Sequence, residues 1–177
     1  MDKRITKTKR SITNAFLELR SQKAIEKITV KELCEKAEIN KSTFYTHFND
    51  IYDLSEYLEA QTAKEIIESL RHPEYLFSKP DIFIRELMYA YMAKENLIHI
   101  LFSGSRTNML LIRTESSLKD IIFSLRPDYK ENITANVLFT LTIYGGFYAF
   151  EKCRFFGEDS VIDILSEINQ KIMELLR

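Results

Sequence analysis

Apolar positions recur at helical spacing from one end of the chain to the other. Ile5, Ile12, Ala15, Phe16 and Leu19 trace a single stripe over residues 3–22. A break follows at QKAIEKI. Next, TVKE (Thr29 to Glu32) has the form of a capping box, in which the Thr29 oxygen takes a backbone N–H and Glu32 reaches back. Leu33 and Ala37 seat this short second helix on a core. Asn40 is a good N-cap for a third helix from Lys41 to about His47. Asn49 or Asp50 can cap a fourth, with Ile51, Leu54, Leu58, Ile66 and Leu70 on its buried side and a stop before His72-Pro73.

The same spacing predicts further helices over residues 80–94, 95–103, 107–125 and 129–156, and from Ser160 to the end. Only four glycines and three prolines interrupt about nine helices, so the fold class is all-α. No run approaches the roughly 18 consecutive apolar residues of a membrane span. The basic amino terminus is not followed by an apolar signal core, which makes the cytoplasm the expected location, without a membrane partner. Cys34 and Cys153 are far apart and read as packing residues in a reducing compartment.

Charge is distributed unevenly. Residues 1–50 hold eleven Lys or Arg against seven Asp or Glu, whereas residues 51–177 hold fourteen against nineteen. A basic head on an acidic body suits an anionic partner for the head alone. The head also contains two short helices joined by a tight turn, the second one capped, which is the pattern of a helix-turn-helix. At about 100° per residue, Phe44 and Phe48 point into the core, while Ser42 and Thr46 face the opposite way, toward a major groove. Lys41, Thr43, Tyr45 and His47 flank them, where phosphates would stand. Lysine, hydroxyls and a phenol can donate to phosphate oxygens, and Ser, Thr and Lys can read base edges. Lys3, Arg4, Lys7, Lys9 and Arg10 form a basic arm able to follow the backbone or enter the minor groove.

The stretch TKRSITNAFLELRSQKAIEKITVKELCEKAEINKSTFYTHFNDIYDL, residues 8–54, resembles the DNA-binding domain of the TetR family of bacterial transcription regulators. The resemblance implies a three-helix DNA-binding domain over 1–50 and a helical regulatory and dimerisation domain over 51–177. It also implies that Thr29 caps the second helix and touches phosphate, and that Lys31, Lys41, Ser42 and Thr43 meet bases or backbone. Tyr45 and His47 would mainly grip phosphates. Three positions depart from the family pattern. Glu38 stands where glycine is usual, at a cost of about 1–2 kcal/mol if the backbone there is left-handed. Ile51 replaces a lysine, removing a phosphate contact. Arg20 replaces an aromatic, which would leave the end of the first helix exposed.

In the second domain, NVLFTLTIYGGFYAFEKCRFF is apolar on all sides, as in a helix covered on both faces. Gly145 and Gly146 cost about 1 kcal/mol each in mid-helix relative to alanine. Close approach of a partner helix would account for them, and so would a kink within a monomer's core. With Phe150 and the last helix's Ile164, Ile168 and Ile172, they form the expected homodimer interface of four helices, two from each chain. Two recognition helices related by a two-fold axis would read a palindromic operator in double-stranded DNA.

The family resemblance further implies an inducer pocket, for which Tyr89, Met92, His99, Phe102, Asn108, Arg113, Tyr144 and Tyr148 are candidates. A protein partner is the alternative occupant of the second domain, and would make the chain an adaptor or activator. No nucleophile, base and orienting group can be assembled by spacing, and three histidines with two scattered cysteines make no zinc pattern. The expectation is therefore a regulator, most simply a repressor released by a small molecule, with no catalytic residues, metal or cofactor.

Overall fold

A computed structural model of the chain describes residues 3–176, with side chains from Thr6 to Leu176. The described residues form ten α-helices and no β-strand. In chain order these are α1 (Lys3–Gln22), α2 (Val30–Lys36), α3 (Lys41–Tyr45), α4 (Ile51–Glu68) and α5 (Tyr75–Ser78). Then follow α6 (Pro80–Ala93), α7 (Glu95–Leu101), α8 (Met109–Leu125), α9 (Ile133–Cys153) and α10 (Glu158–Glu174). The sequence pattern missed α5, a single turn between Pro73 and Pro80 that is too short for a periodic signal. It also ran α9 too far at both ends. Asn132 caps that helix by accepting the Ala135 N–H at 2.9 Å, and the chain tightens into 3₁₀ turns at Pro127–Tyr129 and Arg154–Phe156.

The chain packs as two units. One holds residues up to 62 together with 96–110, and the other holds 63–95 with the stretch from 111 onward. In the first, Ile12 and Phe16 of α1, Leu33 of α2, Phe44 of α3 and Leu54 of α4 are fully buried. Each such side chain contributes about 1.5–3 kcal/mol by leaving water. α4 begins with reciprocal carboxylate caps. The Asp53 N–H donates to Asp50 Oδ1 at 2.8 Å, and Asp53 Oδ2 accepts the Asn49 N–H at 2.8 Å.

In the second unit α6, α9 and α10 pack on one another around Phe83, Phe139, Phe150 and Ile162. Arg154, at the end of α9, pairs with Glu95 and Glu158 and so ties the start of α7 and of α10 to the core. Residues 133–156 are long and apolar enough to cross a membrane by length and composition, with a mean hydropathy of 1.3. Asn136, Thr140, Glu151 and Lys152 interrupt that run, and one side of it is buried on α10. The other side is not covered. Ile133, Val137, Leu141 and Tyr148 are exposed along α9, and Ile164 and Ile168 along α10.

Candidate nucleic-acid interface

The turn between α2 and α3 sets the direction of the recognition segment. Thr29 caps α2 by accepting the Glu32 N–H at 3.2 Å. Glu32 does not complete the capping box, because its carboxylate pairs with Lys23. At the other end the Ile39 N–H donates to the Cys34 carbonyl at 3.0 Å and the Glu38 N–H to the Glu35 carbonyl at 3.3 Å, the two bonds of a Schellman motif. That motif requires a left-handed residue, and Glu38 occupies it with φ +55°. The cost foreseen at this position is therefore present.

Asn40 then caps α3. Its Oδ1 accepts the Thr43 N–H at 2.7 Å, and the hydroxyls of Ser42 and Thr43 also donate to it. Phe44 and Phe48 pack inward with ring centroids 5.9 Å apart, which turns the opposite side of the segment outward. There Lys41, Ser42, Tyr45 and Thr46 are exposed, Tyr45 at 54%, while Thr43 and His47 are half-buried. Thr29 and Lys31 are exposed on α2, and Lys31 has Glu35 3.8 Å away across solvent. The predicted residues on α2 and α3 thus lie on two adjacent capped helices. The side chains of Lys3 and Arg4 lie outside the described residues.

Two basic residues of α1 behave differently from the sequence expectation. Lys9, placed in the basic arm, lies with its ammonium 3.6 Å from the centre of the Tyr57 ring and 5.5 Å from that of Phe48. This cation–π contact fastens α1 to α4. Arg20 does not leave the end of α1 exposed. It is itself 5% exposed and donates to the carbonyls of Lys23 at 3.2 Å and Ser103 at 2.8 Å.

Ser103 opens a group of contacts that sequence reasoning missed. Ser105 donates to Glu26, which holds that carboxyl below its ordinary range. Arg106 forms a bidentate pair with Glu59, a carboxylate with no exposed surface, and this hydrogen bonding raises the guanidinium further above its usual value. Residues 103–106 are thereby fixed to α1, to the Ile25–Lys27 turn and to α4 within one unit. A signal was available: Ser55, Glu59 and Thr62 recur at i, i+4 and i+7, a buried polar stripe beside the apolar one.

Residues 12–58 match the family described as bacterial regulatory proteins, tetR family. The chain carries a TetR-family DNA-binding domain. It is a DNA-binding transcription regulator, and the TetR-family match ends within α4. No curated protein and no solved structure matches the chain.

Beyond the TetR-family domain, the candidate ligand residues divide between the two units. His99, Phe102 and Asn108 belong to the first, where Phe102 is buried and the other two are exposed. Tyr89, Met92, Arg113, Tyr144 and Tyr148 belong to the second. Tyr89 donates to Asp159 at 2.8 Å and Tyr144 to Glu115 at 3.1 Å. An open groove of about 370 Å³ beside Tyr89 is lined by Ser69, Arg71, Glu86 and Ala90. The candidate interface residues also separate. Ile164 and Ile168 are exposed, Ile172 is half-buried, and Phe150 is fully buried against Tyr91 in its own chain. Open space lies beside both Gly145 and Gly146.

Proposed function

We propose that the protein is a cytoplasmic repressor that binds a palindromic operator as a homodimer and is released by a small-molecule ligand. The observation that carries the reading is the uncovered apolar face of α9 and α10. Val137, Leu141 and Tyr148 run along one helix and Ile164 and Ile168 along the other, each more than 45% exposed. Gly145 lies on the same face, with nothing within 4 Å of the place a side chain would take. Its cost in helix propensity has no return inside the monomer. A second copy placing its own α9 and α10 there would bury the face and use the space.

Dimerisation gives the α3 helices their purpose. Two of them related by a two-fold axis, about 34–36 Å apart, fit successive turns of one face of DNA. Lys31, Lys41, Tyr45 and His47 meet phosphates, while Ser42 and Thr46 face the bases. The ligand favours a spacing that no longer fits, a coupling of about 1–3 kcal/mol. The groove beside Tyr89 supplies a place for it. Glu86 Oε2 is buried there without a hydrogen-bond partner, so a ligand bearing an N–H or O–H donor would satisfy it.

Sedimentation equilibrium of the full chain and of a Leu141→Lys/Ile164→Lys double variant tests the reading. A wild type of twice the chain mass, and a monomeric variant with lost operator affinity, support it. A monomeric wild type overturns it.

A further inference from the structure

The donor and acceptor roles along the recognition segment are fixed by its hydrogen bonds. Asn40 Oδ1 accepts a backbone N–H, that of Thr43 at 2.7 Å, so this atom is the amide oxygen and carries no proton. Ser42 Oγ and Thr43 Oγ1 each lie 2.7 Å from the same oxygen. A hydroxyl bonded to an oxygen without a proton must be the donor. Thr46 Oγ1 lies 2.7 Å from the Thr43 carbonyl oxygen, and the same logic makes it a donor. Each hydroxyl has one proton, and all three are spent inside the protein. Ser42 and Thr46 are exposed one helical turn apart, and what they turn outward is lone pairs.

We propose that Asn40 sets the base preference of the recognition helix. By holding the Ser42 proton it makes that hydroxyl an acceptor, which selects the amino groups of adenine N6 or cytosine N4 over the keto oxygens of guanine and thymine. Thr46, whose proton goes to the Thr43 carbonyl, adds a second acceptor on the same face. The inference rests on the proposed placement of this face in the major groove. Asn40 touches no base in this arrangement; it is a positioning residue acting through Ser42. A keto base opposite Ser42 sets acceptor against acceptor unless the hydroxyl leaves Asn40. Three donors share the two lone pairs of the amide oxygen, so the discrimination is a bias of one net hydrogen bond, roughly fivefold at the base concerned.

Selection of bound duplexes from a random pool, with the wild type, Ser42→Ala and Asn40→Ser, tests this. Ser42→Ala marks the base read by Ser42 as the position whose preference it erases. In Asn40→Ser the serine oxygen still caps α3, but the shorter side chain cannot also hold both neighbouring hydroxyl protons. The expected result is adenine or cytosine at that position in wild-type sites, moving about fivefold toward guanine or thymine in Asn40→Ser, with other positions unchanged. A second measurement uses only the wild type. An operator carrying purine for adenine, or 2-pyrimidinone for cytosine, lacks just the amino group and should bind about fivefold more weakly. Guanine or thymine at the position in wild-type sites, unchanged affinity for the analogue, or a Ser42→Ala variant that erases no preference would overturn the inference. A wild-type pool without any motif would overturn the operator reading itself, and this inference with it.

Discussion

Arg106 grips Glu59 through two hydrogen bonds, Nε to Oε1 at 2.8 Å and Nη2 to Oε2 at 2.6 Å, on a carboxylate with no exposed surface. A side chain from a 3₁₀ turn beyond α7 thus neutralises a charge buried on α4, and Ser55 adds a donor at 2.8 Å. Removing the cation alone takes the Arg106 counter-charge from a carboxylate that stays buried. Arg106→Met should destabilise the protein by about 3–5 kcal/mol, whereas Glu59→Leu with Arg106→Met should cost far less because neither charge remains. Urea unfolding of the three proteins at neutral pH reads both effects.

At Glu38 the cost is in the backbone. The residue is exposed, and its φ of +55° serves only to close the turn before Asn40. Glycine accepts that conformation without strain but loses more freedom on folding. Glu38→Gly should therefore raise stability by a net ~0.5–1 kcal/mol, seen as a higher urea midpoint with an unchanged slope.

Tyr45 offers the most exposed aromatic hydroxyl of the recognition segment, braced edge-on against Phe44 at 5.5 Å. A phosphate contact carries no sequence information. Tyr45→Phe should weaken binding to operator and to random duplex by the same factor, about 10–100-fold for a hydrogen bond to a charged oxygen. Titration of both duplexes at one salt concentration checks this. A loss confined to the operator would move Tyr45 into the groove.

These expectations show what was readable in the chain and what was not. Phe44 and Phe48 at i and i+4, Thr29 and Asn40 as caps, and the apolar stripes of α4 and of α1 from Ile12 onward are local patterns that the structure carries, while the Ile5 side chain lies outside the described residues. The left-handed turn at Glu38 was readable only as a conditional, through the family pattern. Arg20, Ser105 and Arg106 escaped because their partners Ser103, Glu26 and Glu59 lie 47 to 83 residues away, and no periodicity encodes such a pairing. Phe150 was assigned to the outer face because α9 is apolar all round, and a helical wheel cannot tell which apolar side meets its own core.

The second unit should show an acid-sensitive link between α8 and α9. Burial would raise the Glu115 carboxyl, but hydrogen bonds from Lys119, Thr140 and Tyr144 outweigh it and leave the group below its ordinary value. A depressed carboxylate contributes stability at neutral pH that is lost as pH falls below about 4.3, the unperturbed glutamate value, and through the folded value. Glu115→Gln should be less stable than wild type at pH 7, and the two urea midpoints should converge at low pH.

In the proposed function, two copies joined along α9 and α10 read two half-sites on one face of DNA. Binding to the selected operator, compared with the same operator carrying about five extra base pairs at its centre, tests it most directly, since half a turn carries one half-site to the far side of the helix. With the extra base pairs, affinity should fall to that of a single half-site. Equal affinity for both duplexes would contradict it.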